Sequence, residues 1–159
     1  MKKALILCAI VAAALAACSK PMVRAKVLPD VHYYSRSYAA NANDTYYAVR
    51  WALKDVNMPV ATEDLNAGII TTKWEPVTSD SHYVEMFGRP DYGVTNSYHQ
   101  LEVQISFDQG RSMVKVGSRI KSLVARLQTS GIIEKKVLDG IGNFLRNSEP
   151  DITNLGVSE

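Results

Sequence analysis

Cys18 is the residue whose type and position most directly predict chemistry. Its thiolate is a nucleophile that no neighbouring serine could replace. Before it stand a short positive start, Lys2 and Lys3, an uncharged apolar run from 4 to 17, and small residues next to the cysteine. This layout is typical of a secretory signal, and the run is shorter than the roughly 20 residues that cross a bilayer. The sequence therefore predicts an exported chain with a reactive thiol at its cleavage point.

The order Leu15-Ala16-Ala17-Cys18 resembles the bacterial lipobox. The resemblance implies cleavage before Cys18, a diacylglycerol on its sulfur and a further acyl chain, such as palmitate, on its new amino group. Two or more chains hold a protein stably at a bilayer. Ser19, where Asp would favour the inner membrane, implies an outer-membrane, periplasm-facing address. The alternative is an ordinary signal peptide with an incidental cysteine.

Composition limits the function classes that remain. The chain has 18 basic and 16 acidic side chains, and losing the leader with Lys2 and Lys3 leaves 16 of each. Balanced charge gives no indication of nucleic-acid binding, so no nucleic-acid partner is expected. Of the two cysteines, only Cys18 remains after cleavage, so no disulfide is expected within the mature chain.

Histidines and catalytic motifs give no sign of an active site. His32, His82 and His99 are far apart in the sequence, and none belongs to a metal-ligand pair of known spacing. Asp80 and His82 are too few ligands to predict a metal. No nucleophile elbow or phosphate-binding loop occurs. We therefore expect no catalytic residue, no metal and no cofactor beyond the lipid on Cys18, and hence no enzyme.

An aromatic stretch between residues 82 and 99 is a candidate partner-binding surface. It contains Tyr83, Met86, Phe87 and Tyr92, and such residues are enriched at the centres of protein interfaces. The alternative is an edge strand that places Tyr83 and Met86, or Val84 and Phe87, in the core.

A basic surface is the second candidate. Lys115, Arg119 and Lys121 alternate along one predicted strand and should share its outward face. They could contact anionic lipid head groups or an acidic partner. A solvated sheet face that discourages edge aggregation explains them equally well.

Periodicity predicts the elements that position these residues. Residues 31–39 and 68–74 have strand composition, and two alternating stretches near 99–107 and 113–124 are joined by a turn. Helical stripes follow Asn43 or Asp44 and occupy residues 131–147. The order β-α-β-β-β-α predicts an α+β fold, with an antiparallel sheet of about four to five strands covered by two helices.

The segment from Tyr38 to Val77 resembles the domains of BamC/NlpB-like outer-membrane lipoproteins. The resemblance lies in a helix with a central tryptophan, an acidic turn and a Gly-Ile-x-Thr-x-Trp strand, and the matching positions are Trp51, Glu63, Asp64, Gly68, Ile69, Thr72 and Trp74. It implies a helix-grip-like domain and possible contact with outer-membrane assembly proteins. We expect Gly68 and both tryptophans to be structural.

These observations predict a lipidated tether at 18–30 after the leader at 1–17, one domain at 31–147 and a flexible tail at 148–159. We expect a non-enzymatic accessory protein of β-barrel outer-membrane protein assembly, held at the membrane by its lipid. The alternative is a periplasmic lipoprotein that binds a lipid or another small molecule. An unfilled cavity among the inward residues would favour that alternative; they are Leu101, Val103, Ile105, Val116 and Ile141.

Overall fold

The computed structural model describes residues 25–92 and 96–147. The leader, Cys18, most of the tether and the tail at 148–159 lie outside the described residues, so the expectations for them stay predictions. Within the described residues, no helix is both long enough and apolar enough to cross a bilayer.

The structure contains two helices and two antiparallel sheets. The helices are α1 (Ala42–Asp55) and α2 (Ile132–Asn147). The strands are β1 (Lys26–Val27), β2 (Tyr33–Tyr38), β3 (Val60–Asp64), β4 (Ile69–Thr72), β5 (Glu75–Pro76), β6 (His82–Met86), β7 (Arg89–Asp91), β8 (Tyr98–Asp108), β9 (Arg111–Ser122) and β10 (Gln128–Thr129).

Helix α1 begins earlier than its sequence pattern suggests. Asn41, and not Asn43 or Asp44, is the N-cap, and its Oδ1 accepts a hydrogen bond from the backbone N–H of Asp44 at 2.8 Å. The carboxylate of Asp44 in turn accepts a hydrogen bond from Asn41 Nδ2 at 2.8 Å. Two cap-forming residues three positions apart satisfy each other in this way. The helix ends at Asp55, two residues before Asn57 with its positive φ and four before Pro59.

The main sheet is built around β8 and β9. In the described residues its order is β1-β9-β8-β4-β3, with β2 also beside β9 and β5 also beside β8. The β8–β9 hairpin turns at Gln109 and Gly110, which both have positive φ, as a two-residue type I′ turn requires. Residues 26–27, which the sequence assigned to the tether, pair with β9 as β1. A smaller sheet has the order β10-β6-β7.

One face of the main sheet is covered and the other is open. The alternation predicted for β8 and β9 is confirmed, because Leu101, Val103, Val114 and Val116 are fully buried. They pack against apolar residues of both helices, among them Val49, Ala52, Leu53, Val137 and Ile141. Phe107 follows the same alternation but is 52% exposed, because it lies near the end of β8, beyond the core.

The covered face has two halves. The helix-covered half lies under α1 and α2 and contains the apolar core. The small-sheet half lies toward the β9 C-terminus, where His82 of β6 contacts His99 of β8. The open face carries the odd-numbered residues of β9, including Lys115, Arg119 and Lys121, in register with Gln104, Gln100 and Tyr98 of β8.

The predicted α+β class is therefore confirmed: an antiparallel sheet holds two helices against one face, in a helix-grip-like arrangement. In the described residues the main sheet has seven strands, more than the four to five expected, because β1, β3 and β5 add to the four strands that the pattern predicted. The pattern did not reveal β3 or the two- and three-residue strands β1, β5, β7 and β10, because such segments show no clear alternation of apolar and polar residues.

Gly68 and the two tryptophans have structural environments. Gly68 has φ +65°, and a Cβ there would lie 2.2 Å from the carbonyl oxygen of Ile105. Only glycine fits such a position. The Trp51 ring packs at 5.6 Å from that of Phe144 in α2, although 44% of Trp51 remains exposed, and Trp74 is half-buried.

Candidate functional site

The β6–β7 hairpin presents a fully exposed aromatic ring. Its turn consists of Phe87 and Gly88, with φ of +52° and +73°. Positive φ at both central residues suits a type I′ turn, but a side chain at such a position is strained. Phe87 is 100% exposed, so neither backbone preference nor burial accounts for its presence at the tip.

The other predicted aromatic residues surround this tip. Tyr83 and Tyr92 pack with ring centroids 5.6 Å apart, and the Tyr83 hydroxyl donates to Gln128 Oε1 at 3.1 Å. Met86 and Tyr92 are 49% and 41% exposed. The interpretation that residues of this stretch fill the core is wrong for Met86 and Phe87, because the chain reverses at Phe87. We call Met86, Phe87 and Tyr92 the hairpin knob.

A histidine pair lies beneath the small sheet. His82 and His99 are both buried, and their rings meet edge to face with centroids 5.1 Å apart. Burial, with a smaller contribution from His99, lowers the pKa of His82 to about 3. Burial also lowers the pKa of His99 to about 4. Both rings are therefore neutral at physiological pH.

The hydrogen bonds of Ser81 define the tautomer of His82. Ser81 Oγ donates its proton to the carbonyl oxygen of Thr78 at 2.9 Å and lies 2.8 Å from His82 Nδ1. Because the single hydroxyl proton is already used, Nδ1 must donate, and Nε2 carries the lone pair. In the described part of the chain, His82 Nε2, His99 Nδ1 and Ser118 Oγ are buried without a hydrogen-bond partner.

A cleft separates the main sheet from the small sheet. Its volume is about 610 Å³. It is lined by Leu28, Pro29, Asp30, His32, Tyr34, Tyr83, Ser118, Ile120, Arg126, Leu127, Gln128 and Thr129. Mixed apolar and polar walls of this kind are typical of small-molecule sites.

Glu134 lies next to this cleft. Its side chain is buried, and Oε1 accepts a hydrogen bond from Thr129 Oγ1 at 2.7 Å. Burial raises the pKa of Glu134, and the hydrogen bond from Thr129 opposes that shift only in part. A buried carboxyl of raised pKa beside a cleft is a common feature of functional sites, although structural networks produce it too.

The basic surface is partly neutralised on the open face. Glu102 is buried and accepts from Tyr33 Oη at 2.7 Å and from Gln104 Nε2 at 3.0 Å, and Arg119 Nη2 lies 2.5 Å from its Oε2. Burial alone would raise the pKa of Glu102, but these hydrogen bonds and the charge of Arg119 lower it. Arg119 is therefore engaged with Glu102, whereas Lys115 and Lys121 project from the same face as predicted.

Gly117 makes this arrangement possible. The Tyr33 ring lies across it, and a Cβ at Gly117 would be 2.7 Å from Tyr33 Cδ1 and 2.8 Å from Val31 Cγ1. Burial, followed by the hydrogen bond to Glu102, raises the pKa of Tyr33 to about 12.

Among the described residues, no group of three or more His, Cys, Asp or Glu side chains is arranged to hold a metal ion. Sequence reasoning treated the three histidines as isolated. It missed the pairing of His82 with His99, because their proximity depends on how β6 folds over β8. The buried end of β8, where His99 precedes Leu101 by two residues, is the one signal that could have indicated an inward histidine.

No family model and no curated protein sequence matches this chain. Norcoclaurine synthase from Thalictrum flavum, in complex with dopamine and hydroxybenzaldehyde, is similar at 12% identity and a TM-score of 0.41, covering 77% of this chain and 90% of the synthase. Ara h 8.0201 is similar at 12% identity and a TM-score of 0.37, covering 74% of this chain and 100% of that protein. At these values the similarity carries no information about a substrate or ligand, and the fold assignment rests on strand order and register.

Proposed function

We propose that this chain is a lipid-anchored protein of the outer membrane that faces the periplasm and acts, without catalysis, by binding partner proteins of envelope assembly. The observation that carries the proposal is the hairpin knob, in which Phe87 is fully exposed at a positive φ. The resemblance to BamC/NlpB-like proteins supports β-barrel assembly as the process, and the assembly proteins themselves remain a prediction.

The backbone strain at Phe87 and the exposure of its ring favour a binding role for the hairpin knob. A non-glycine residue in the left-handed region costs on the order of 1–3 kcal/mol, and an exposed ring gains nothing from burial. A partner pocket that covers Phe87 would recover this loss, since aromatic anchors dominate interface energetics. Met86 and Tyr92 would form the adjoining contacts.

The anchor explains how a small surface could suffice. If Cys18 carries lipid, the domain is confined to the membrane surface, where its effective concentration for membrane-bound partners rises without additional contacts. A weak interface at the knob would then be occupied at native expression.

Crosslinking and pull-down from membranes tests the partner. We compare the wild type with Phe87→Asn, because asparagine tolerates positive φ and removes only the ring. Phe107→Asn is the matched control, since Phe107 is also exposed but lies at the far end of β8. Loss of barrel-assembly components with Phe87→Asn alone supports the proposal. Their absence from the wild-type eluate contradicts it.

Fractionation of the Cys18→Ser chain tests the anchor. We expect it to accumulate with its leader uncleaved and without acyl chains, and therefore to be absent from the outer-membrane fraction. Unchanged maturation and unchanged partitioning would contradict the lipid anchor.

The second candidate is a lipoprotein that binds a small molecule, and the cleft between the sheets favours it. Leu101, Val103, Val116 and Ile141 are fully buried in one continuous core, so the central cavity expected for a carrier is replaced by packed side chains. The cleft instead offers Ser118, whose buried Oγ has no partner in the described residues.

Native mass spectrometry of protein purified from its own envelope tests this candidate. A bound molecule that is lost in Ser118→Val and retained in the exposed control Ser37→Val would support the cleft as the ligand site. Ligand-free spectra for all three proteins would contradict it.

A further inference from the structure

We infer that the end of the main sheet nearest to the anchor is a membrane-contact surface, which seats the domain on a bilayer containing anionic lipids. The surface consists of Lys26, Val27, Tyr98, Lys121, Leu123 and Val124, and we call it the anchor-end patch. This inference rests on the proposed lipid anchor at Cys18.

Strand register places these residues side by side. Lys121 of β9 is directly opposite Val27 of β1 on one side and opposite Tyr98 of β8 on the other. Directly opposite residues in an antiparallel sheet share a face and lie about 5 Å apart. Leu123 and Val124 follow β9 immediately, so they extend the same end of the sheet.

The patch is apolar and exposed without an evident structural reason. Val27, Leu123 and Val124 are 54%, 54% and 38% exposed, and Tyr98 is 44% exposed. The loop that carries Leu123 and Val124 is held in place, because the Val124 N–H donates to Ser122 Oγ at 2.9 Å and Ser122 Oγ lies 2.7 Å from Ser97 Oγ. A fixed loop that presents adjacent aliphatic side chains to water is suited to contact an apolar surface.

The charges around the patch fit an anionic surface. Lys121 lies on the open face, and Lys26, which is opposite Ser122, is exposed at the edge of the patch on the edge strand β1. Residues 111–128 include no acidic side chain. Glu75 of the adjoining β5 is opposite His99 and therefore belongs to the covered face. Lysines near a bilayer are attracted by anionic head groups, while tyrosine is favoured at the membrane interface.

The length of chain before β1 brings this end to the bilayer. Cys18 precedes Lys26 by eight residues, and even a fully extended segment of that length spans at most about 29 Å. An anchor at Cys18 therefore keeps β1 close to the membrane, whereas Leu65 and Phe107 lie at the opposite end of the sheet. The anchor-end patch therefore lies within reach of the lipid through a short segment of chain.

Site-specific fluorescence in the anchored protein provides the first test. Cys8 leaves with the leader and the Cys18 sulfur would carry lipid, so an introduced cysteine is the single free thiol. Val124→Cys and the matched control Leu65→Cys are labelled with an environment-sensitive dye. The full mature protein is then placed in vesicles of equal parts phosphatidylcholine and phosphatidylglycerol. We expect a blue shift and quenching by brominated lipid at Val124 and not at Leu65. Equal, water-like emission at both positions overturns the inference.

Vesicle sedimentation of the mature chain, residues 18–159, carrying Cys18→Ser and therefore without leader or lipid, provides a test that does not need the anchor. We expect binding to phosphatidylglycerol vesicles that salt weakens, and a loss of about tenfold or more when Lys26→Glu and Lys121→Glu are combined. Lys54→Glu with Lys136→Glu, on the exposed faces of the helices, is the matched control. Equal binding by all three proteins, or equal binding to pure phosphatidylcholine, overturns the patch. Failure of the proposed anchor is read separately, from unchanged membrane fractionation of Cys18→Ser in cells.

Discussion

Along the covered face of β9, Val114 and Val116 lie under the helices, whereas Ser118, Ile120 and Ser122 follow toward the small sheet. Its neighbour β8 changes in the same direction, from Val103 and Leu101 to His99. The helix-covered half thus gains its stability from apolar burial, whereas the small-sheet half buries polar groups that depend on protonation and hydrogen bonding. The two halves should therefore respond differently to loss of apolar volume and to a change of pH.

The largest expected loss of stability comes from a substitution in the helix-covered half. Leu53→Ala removes a fully buried side chain from the core and should lower the free energy of unfolding by about 2–5 kcal/mol. Urea unfolding at pH 7 measures it. Leu65→Ala, at an exposed leucine, is the control and should change stability by less than about 0.5 kcal/mol. Equal effects of the two changes would contradict the assignment of the core.

Acid should weaken the small-sheet half selectively. Burial holds the pKa of His82 at about 3 and that of His99 at about 4 in the folded protein, against about 6.5 in the unfolded chain. Between these values the unfolded chain binds more protons, so stability is complete above pH 6.5 and falls as the pH decreases toward 4. At pH 5 each histidine should contribute a loss of about 2 kcal/mol.

Unfolding curves at pH 7 and pH 5 check this expectation. In His82→Asn, the amide can still donate to Ser81 but cannot titrate, so the loss between the two pH values should be smaller than in the wild type. His32→Asn, at an exposed position, is the control and should keep the wild-type loss. If His82→Asn and the wild type lose equal stability, the pair is not buried in solution.

Glu134 gives a smaller effect of opposite direction with pH. Because burial raises the pKa of Glu134 in the folded protein, the folded state binds more protons, and stability is lost as the pH rises through that pKa. Glu134→Gln keeps an acceptor for Thr129 and removes the charge, so it should stabilise the protein at pH 8 more than at pH 4. Thermal unfolding at both values measures the difference, and Glu85→Gln, at an exposed position, should show none.

The smallest effect concerns the hairpin knob, which belongs to neither half of the covered face. Phe87→Asn should raise the free energy of unfolding by about 0.5–1 kcal/mol, since it relieves a positive φ. Chemical denaturation measures the gain. A loss of stability would mean that the ring packs against the domain, and the binding role proposed for Phe87 would lose its basis.

The two halves also differ in how far the sequence predicts them. The stripes of α1 and α2 and the alternation in β8 and β9 follow from local periodicity, because many regularly spaced apolar residues contact one core. The approach of His82 to His99 depends on the path of a two-residue strand, β10, and of the hairpin before it. The spacing of apolar residues in these short segments does not predict how the chain runs there. Tyr83, Met86, Phe87 and Tyr92 are close in sequence and lie on or beside one hairpin, and their role in binding stays a prediction. The cleft and Glu134 required the tertiary structure.

The placement of β2 beside β9 has a consequence for the order in which the molecule can form. Tyr34 pairs with Val116, and the Tyr38 hydroxyl donates to the carbonyl oxygen of Leu138 at 2.6 Å, across 100 residues of sequence. Pairings between distant parts of a chain form slowly, because the entropy cost of closing a long loop comes before the favourable contacts are made. The strand β2 therefore lacks its partners until almost the whole polypeptide has been made, so the N-terminal half of the domain cannot complete its fold on its own.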